Sequence, residues 1–99
     1  MSVFLVAFRL HEGSDYDARW ASVVAAVRKE ANNKAWEEAT SAFIFQSFRT
    51  AAEICHSIYM GSKIYDNLDL LLVVNLSAKD YAQRGAKYPH SLDALMKAR

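Results

Sequence analysis

Three short runs, residues 3–8, 42–45 and 70–74, are apolar at every position. Side chains alternate between the two faces of a strand, so each run, folded as a strand, needs cover on both sides. All three are far shorter than the roughly 20 residues of a membrane-spanning helix. No basic stretch precedes the first run, Arg9 interrupts it, and no small-residue cleavage site follows. No signal peptide is expected, and the protein is expected in the cytoplasm with no membrane partner.

The chain around these runs is 99 residues long and 53% hydrophobic, with 12 Lys and Arg against 11 Asp and Glu. That is one globular domain, too apolar for disorder and too evenly charged for a strongly basic nucleic-acid module. A lone cysteine, Cys55, excludes a disulfide framework and a multi-cysteine zinc site. Three glycines and one proline leave no glycine-rich phosphate loop.

Local patterns set the element order. Residues 2–10 read as a central strand. Ser14 is the expected N-cap of a helix, with Asp17 favourably placed in its first turn. Tyr16, Trp20, Val23, Val24, Val27 and Ala31 form one helical stripe, and Arg19, Arg28, Lys29 and Glu30 fall mostly off it. Residues 35–47 are expected to split at Thr40 and Ser41 into an edge strand carrying Glu37 and Glu38 and a second central strand. Thr50 and Glu53 have capping-box spacing. The helix they open carries Ala51, Ile54, Cys55 and Ile58 on one face and is expected to stop at Gly61. Residues 69–76 form the last long strand. Residues 77–83 read as a short strand or a helical turn, and residues 91–97 as a short helix capped by Ser91.

The predicted architecture is α+β and ferredoxin-like, β-α-β-β-α-β. The core spans residues 1–76, and residues 77–99 are an extension of the same domain, with an extra strand and a short helix. Two helices cover one sheet face. The other face needs a partner, and a second copy of the chain is the simplest one.

The chain resembles the small SinR-like and VapD-like proteins, relatives of the ferredoxin-like small subunit of the CRISPR spacer-acquisition complex. The resemblance rests on the first strand ending in Ala7, Phe8, Arg9 and Leu10, on Ser14, Asp15 and Tyr16, and on Trp36. It continues through residues 40–47, the helix opening at Thr50, residues 69–76 and the Leu-rich C-terminal segment. It implies a homodimer packed sheet to sheet, with a tail that adds to the partner's sheet. Nuclease-active relatives carry a metal-binding Asp at the end of the first strand. Here that position is Arg9, which cannot ligate a metal.

Several side chains are candidates for chemistry. Arg9 could receive a phosphate or carboxylate, and its plainer reading is an ion pair with an acid such as Glu12. Lys79, Arg84 and Lys87 belong to a tail with a local positive excess suited to phosphate backbone. His11, Asp15 and Asp17 are the candidates for catalysis, with helix capping the plainer role of the two aspartates. Glu37 and Glu38 point to opposite faces of a strand and cannot ligate together. The aromatic pair Phe43 and Phe45 lacks the basic residue and glycine of an RNA-recognition strand and reads as core or dimer face. The expected function is a dimeric, non-catalytic binding protein associated with nucleic acid, with no metal or cofactor. The alternatives are a metal-dependent nuclease or endoribonuclease using Mg²⁺, and a small-ligand sensor at the dimer seam.

Overall fold

The computed structural model describes the whole chain, residues 1–99. Its elements are β1 (Ser2–Arg9), α1 (Tyr16–Glu30), β2 (Trp36–Ala39), β3 (Ala42–Ser47), α2 (Ala51–Met60), β4 (Leu70–Asn75), β5 (Tyr81–Arg84) and α3 (Pro89–Ala98). The strands form one antiparallel sheet in the order β2-β3-β1-β4-β5. This is the ferredoxin-like α+β arrangement with a strand and a helix added at its end. The apolar β1 takes the centre, and the acidic β2 takes an edge.

Strand alternation separates the two faces. Phe4, Val6 and Phe8 of β1 are buried opposite Phe45 and Phe43 of β3 and Val73 and Leu71 of β4. The aromatic rings meet across the strands, Phe8 stacking on Phe43 with centroids 6.1 Å apart. Val23, Val24 and Val27 from α1 and Ala51, Ile54, Cys55 and Ile58 from α2 close this side into one core. The Thr50 hydroxyl and Glu53 carboxylate cap the first turn of α2 reciprocally, at 3.1 and 3.0 Å.

The second face is only partly closed. Val3, Leu5 and Ala7 stand on it beside Ile44 and Leu72. None of these five is buried, and Trp36 at the β2 edge is 48% exposed. The added helix shields one side. Tyr81, level with Val74 in the sheet, donates its hydroxyl to Asp93 of α3 at 2.8 Å. Arg99 ties the end of α3 to the carbonyls of Asn75 and Asp80. Val74 is buried there, outside the helix-side core. Yet α3 buries none of its own residues, and Leu95 is 68% exposed.

Two local expectations are corrected, the cap of α1 and the start of α3. Asp15, not Ser14, precedes the first turn of α1, and its side chain makes no capping bond because it accepts the Tyr65 hydroxyl instead. Helix α2 does stop at Gly61, as expected, with an ordinary φ of −92° there. Left-handed residues occur after α1, where Asn32 and Asn33 have φ of 53° and 58°, conformations that asparagine tolerates. The last helix starts at Pro89 rather than Ser91, because proline suits the first helical position, where an N–H has no partner to lose. Within this chain, β5 pairs with its own β4.

Gly85, just after β5, has φ +81°, and a Cβ there would run into the carbonyl oxygen of Asp69. Gly85→Ala is expected to destabilise the protein by at least about 2 kcal/mol in chemical denaturation. Gly13→Ala, whose Cβ would meet nothing nearer than 3.4 Å, is expected to stay within about 0.5 kcal/mol of the parent. Equal effects of the two substitutions would contradict this account of the β5 exit.

Candidate functional site

Three chain segments meet where β1 ends: the loop into α1, the loop from α2 to β4, and the segment leaving β5. Between them lies an open cleft of about 870 Å³, lined by Arg9, His11, Glu12, Asp66, Leu68 and Lys87, among others. Arg9 is the last residue of β1 and shares the parity of Leu5 and Ala7, so it stands on the second sheet face. It forms no ion pair, and the expected pairing with Glu12 is absent. The chain turns out of the sheet there, with Leu10 buried. Lys87 is likewise without an ion-pair partner.

The walls of this cleft are held by a buried ion pair between Arg19 of α1 and Asp69 at the entrance to β4. Each residue is 1% exposed. The Arg19 guanidinium also donates to the carbonyls of Lys63 at 3.1 Å and His11 at 3.0 Å. The Asp69 carboxylate accepts the backbone N–H groups of His11 and Tyr65, each at 2.7 Å. The Tyr65 ring lies over the guanidinium with its centroid 3.9 Å away, and its hydroxyl donates to Asp15 at 2.5 Å. That bond holds the Asp15 carboxyl below the usual range and pushes the Tyr65 phenol up. Gly85 packs against the Asp69 carbonyl, so the β5 exit rests on the same point.

The remaining expected site residues do not gather in one place. Arg84 is level with Leu71 and turns to the helical side, stacked 3.6 Å over the Tyr59 ring and paired with Asp66 at 3.3 Å. Lys79 lies in the β4–β5 turn, beyond Asn75, whereas Arg9 is level with Leu70 at the other end of β4. A strand of that length separates them by about 17 Å. Of the three catalytic candidates only His11 lines the cleft. Asp15 is engaged by Tyr65, and Asp17 lies in the first turn of α1. No three His, Cys, Asp or Glu side chains converge as a metal would require.

Sequence reasoning missed the Arg19–Asp69 pair. The signal was present, since Arg19, Val23 and Val27 repeat at four-residue spacing and share one side of the helix. Comparison with family models, curated proteins and solved structures gives no match to this chain.

Removing one partner of a buried pair strands the other charge. Asp69→Ala is expected to cost about 3–5 kcal/mol at neutral pH in denaturant unfolding. Burial alone would raise the Asp69 carboxyl, but the Arg19 guanidinium and the two backbone amides outweigh it and hold it below its ordinary value. A depressed folded-state value contributes stability above the unfolded value, lost as pH falls. The gap between parent and variant is therefore expected to narrow as pH drops below about 4. A gap constant down to pH 2 would contradict the linkage.

Proposed function

We propose that the chain acts as a homodimer packed through its second sheet face and binds nucleic acid without cleaving it. The observation that carries this reading is the apolar face of Val3, Leu5, Ala7, Ile44 and Leu72, left open by the chain's own helices and ending at the unpaired Arg9. Apolar patches of several hundred Å² on soluble proteins mark interaction sites. A two-fold contact through one such face is self-complementary, and a standard interface buries about 800 Å² per partner. Because Arg9 stands on that face, a symmetric contact brings two copies of it to the rim of the seam. The resemblance to SinR-like and VapD-like proteins points the same way.

Arg9 and Lys87, neither engaged in an ion pair, offer the cleft two cationic groups for phosphate oxygens beside the acidic Glu12 and Asp66. A guanidinium can grip a phosphate with two parallel N–H donors but cannot hold a metal ion. This favours binding over metal-assisted hydrolysis. His11 beside them can donate to a phosphate or a base edge through its ring.

Light scattering is expected to give about twice the chain mass of 11.2 kDa, and Leu5→Glu or Leu72→Glu to give a folded monomer. A parent that is monomeric at micromolar concentration would overturn the dimer. Fluorescence anisotropy with a single-stranded RNA 20-mer tests the cleft. Arg9→Ala and Lys87→Ala are each expected to weaken binding and to reduce the slope of log affinity against log salt by about 0.7. Cleavage of the RNA in Mg²⁺, lost in Asp15→Ala or His11→Ala, would replace this reading with the nuclease one.

A further inference from the structure

A second groove runs on the opposite side of the molecule, along the seam between α1 and α2. It encloses about 570 Å³, and Ala25, Ala26 and Gly61 make room for it. Because it lies on the helical side, a sheet-to-sheet dimer leaves it open, and the inference drawn from it is independent of the proposed function.

The groove contains the one buried side-chain polar atom of the whole chain that lacks a hydrogen bond, Oε1 of Glu30. The Glu30 side chain is 8% exposed. Arg49 is its only ion-pair partner, with Nη1 3.2 Å from Oε1 and hydrogen-bonded to Oε2 at 3.4 Å, while Glu53 and Lys29 lie within electrostatic range. The guanidinium is committed elsewhere, donating to the Ser57 hydroxyl at 2.9 Å and the Glu53 carbonyl at 3.4 Å. It offsets the carboxylate's charge without aligning an N–H on Oε1. Burial pushes the Glu30 carboxyl above its usual range despite Arg49. Buried polar atoms in folded proteins are nearly all satisfied, and an orphan calls for a missing partner.

The groove also holds donors in want of an acceptor. Lys29 and His56 line it and make no ion pair or side-chain hydrogen bond. A site with an unfilled acceptor at its floor and free donors at its rim suits a ligand carrying both signs. An ammonium is a compact group with three donors, and it can reach an oxygen that the planar, already engaged guanidinium does not. The Arg49 side chain is 46% exposed and can rotate aside without leaving a packed core. Met60 and the two alanines supply an apolar wall.

We propose that this groove binds a small zwitterion of the α-amino acid class, its ammonium on Glu30 and its carboxylate on Lys29 and His56. The test is a titration of the full-length protein followed by amide NMR shifts, with L-alanine, L-leucine, ethylamine and propionate as separate probes. The amino acids are expected to shift the amides of Ala25, Ala26, Ser57 and Gly61 saturably, and each fragment to bind at least tenfold more weakly. Glu30→Gln is expected to weaken amino-acid binding at least tenfold, and Lys29→Ala, on the solvated rim, gives a second reading should the first variant fold poorly. Propionate binding as tightly as L-alanine, or affinity unchanged in both variants, would overturn the assignment. Silence of all four probes would leave Glu30 to a water molecule and overturn it equally.

Discussion

The Arg19–Asp69 pair decides where three loops sit. A buried ion pair can often be exchanged for apolar side chains of similar volume at no loss, because desolvation consumes most of the Coulombic gain. That exchange is closed here. The two side chains together satisfy four backbone groups, the N–H and carbonyl of His11, the carbonyl of Lys63 and the N–H of Tyr65. Apolar replacements would leave these groups buried without partners, at about 1–3 kcal/mol each. The pair therefore serves less as a source of attraction than as a fixed set of donors and acceptors. It replaces the ladder hydrogen bonds that loops leaving a sheet cannot make.

The second constraint comes from the strands. A sheet whose central strands are apolar on both faces can be closed on one side by two helices and not on the other. The chain goes part of the way with α3, which is tied down at Tyr81 and Arg99 and shields Val74. A helix that is amphipathic yet buries none of its residues is an incomplete lid. The same alternation that sends Phe4, Val6 and Phe8 inward sends Leu5, Ala7 and Arg9 outward. The apolar face and the unpaired arginine are thus two results of one register.

Much of the fold was legible in the sequence because its signals are local. The Thr50–Glu53 spacing, the stripe of α2 and the split at Thr40 and Ser41 each involve residues within one or two turns, and each is realised. The errors fall where a distant residue outbids the local choice. Ser14 was a reasonable cap until Tyr65, fifty residues beyond Asp15, fixed the geometry of that turn. Charge alone sets Arg19 off the apolar stripe, although its spacing puts it on the buried side. Asp69, together with the carbonyls of Lys63 and His11, explains how a guanidinium can be 1% exposed. The tail divided into β5 and α3 for a comparable reason, since residues 77–83 carry no strong periodicity and take their form from β4. Of the site, Arg9, His11 and Lys87 were named from sequence and share one cleft. Arg84 and Lys79 were grouped with them by charge alone, which says nothing about which face or which end of a strand a residue occupies.

These two constraints act on different parts of the molecule. The apolar face lies on outward residues along the length of β1, β3 and β4, whereas the ion pair lies at the strand ends, between α1 and the loops. Arg9 belongs to the first, because its backbone is fixed by the ladder to Leu70. His11 belongs to the second, because both its backbone groups are held by the pair, and the segment carrying Lys87 leans on it through Gly85. The cleft is therefore built from one rigid wall and two latched ones. A change in the ion pair moves His11 and Lys87 relative to Arg9 while leaving the sheet face intact. A change on the sheet face would disturb the proposed seam while leaving the cleft with its own three walls. The cleft and the apolar face are in this way separable features of one small sheet, and Arg9 is the residue common to both.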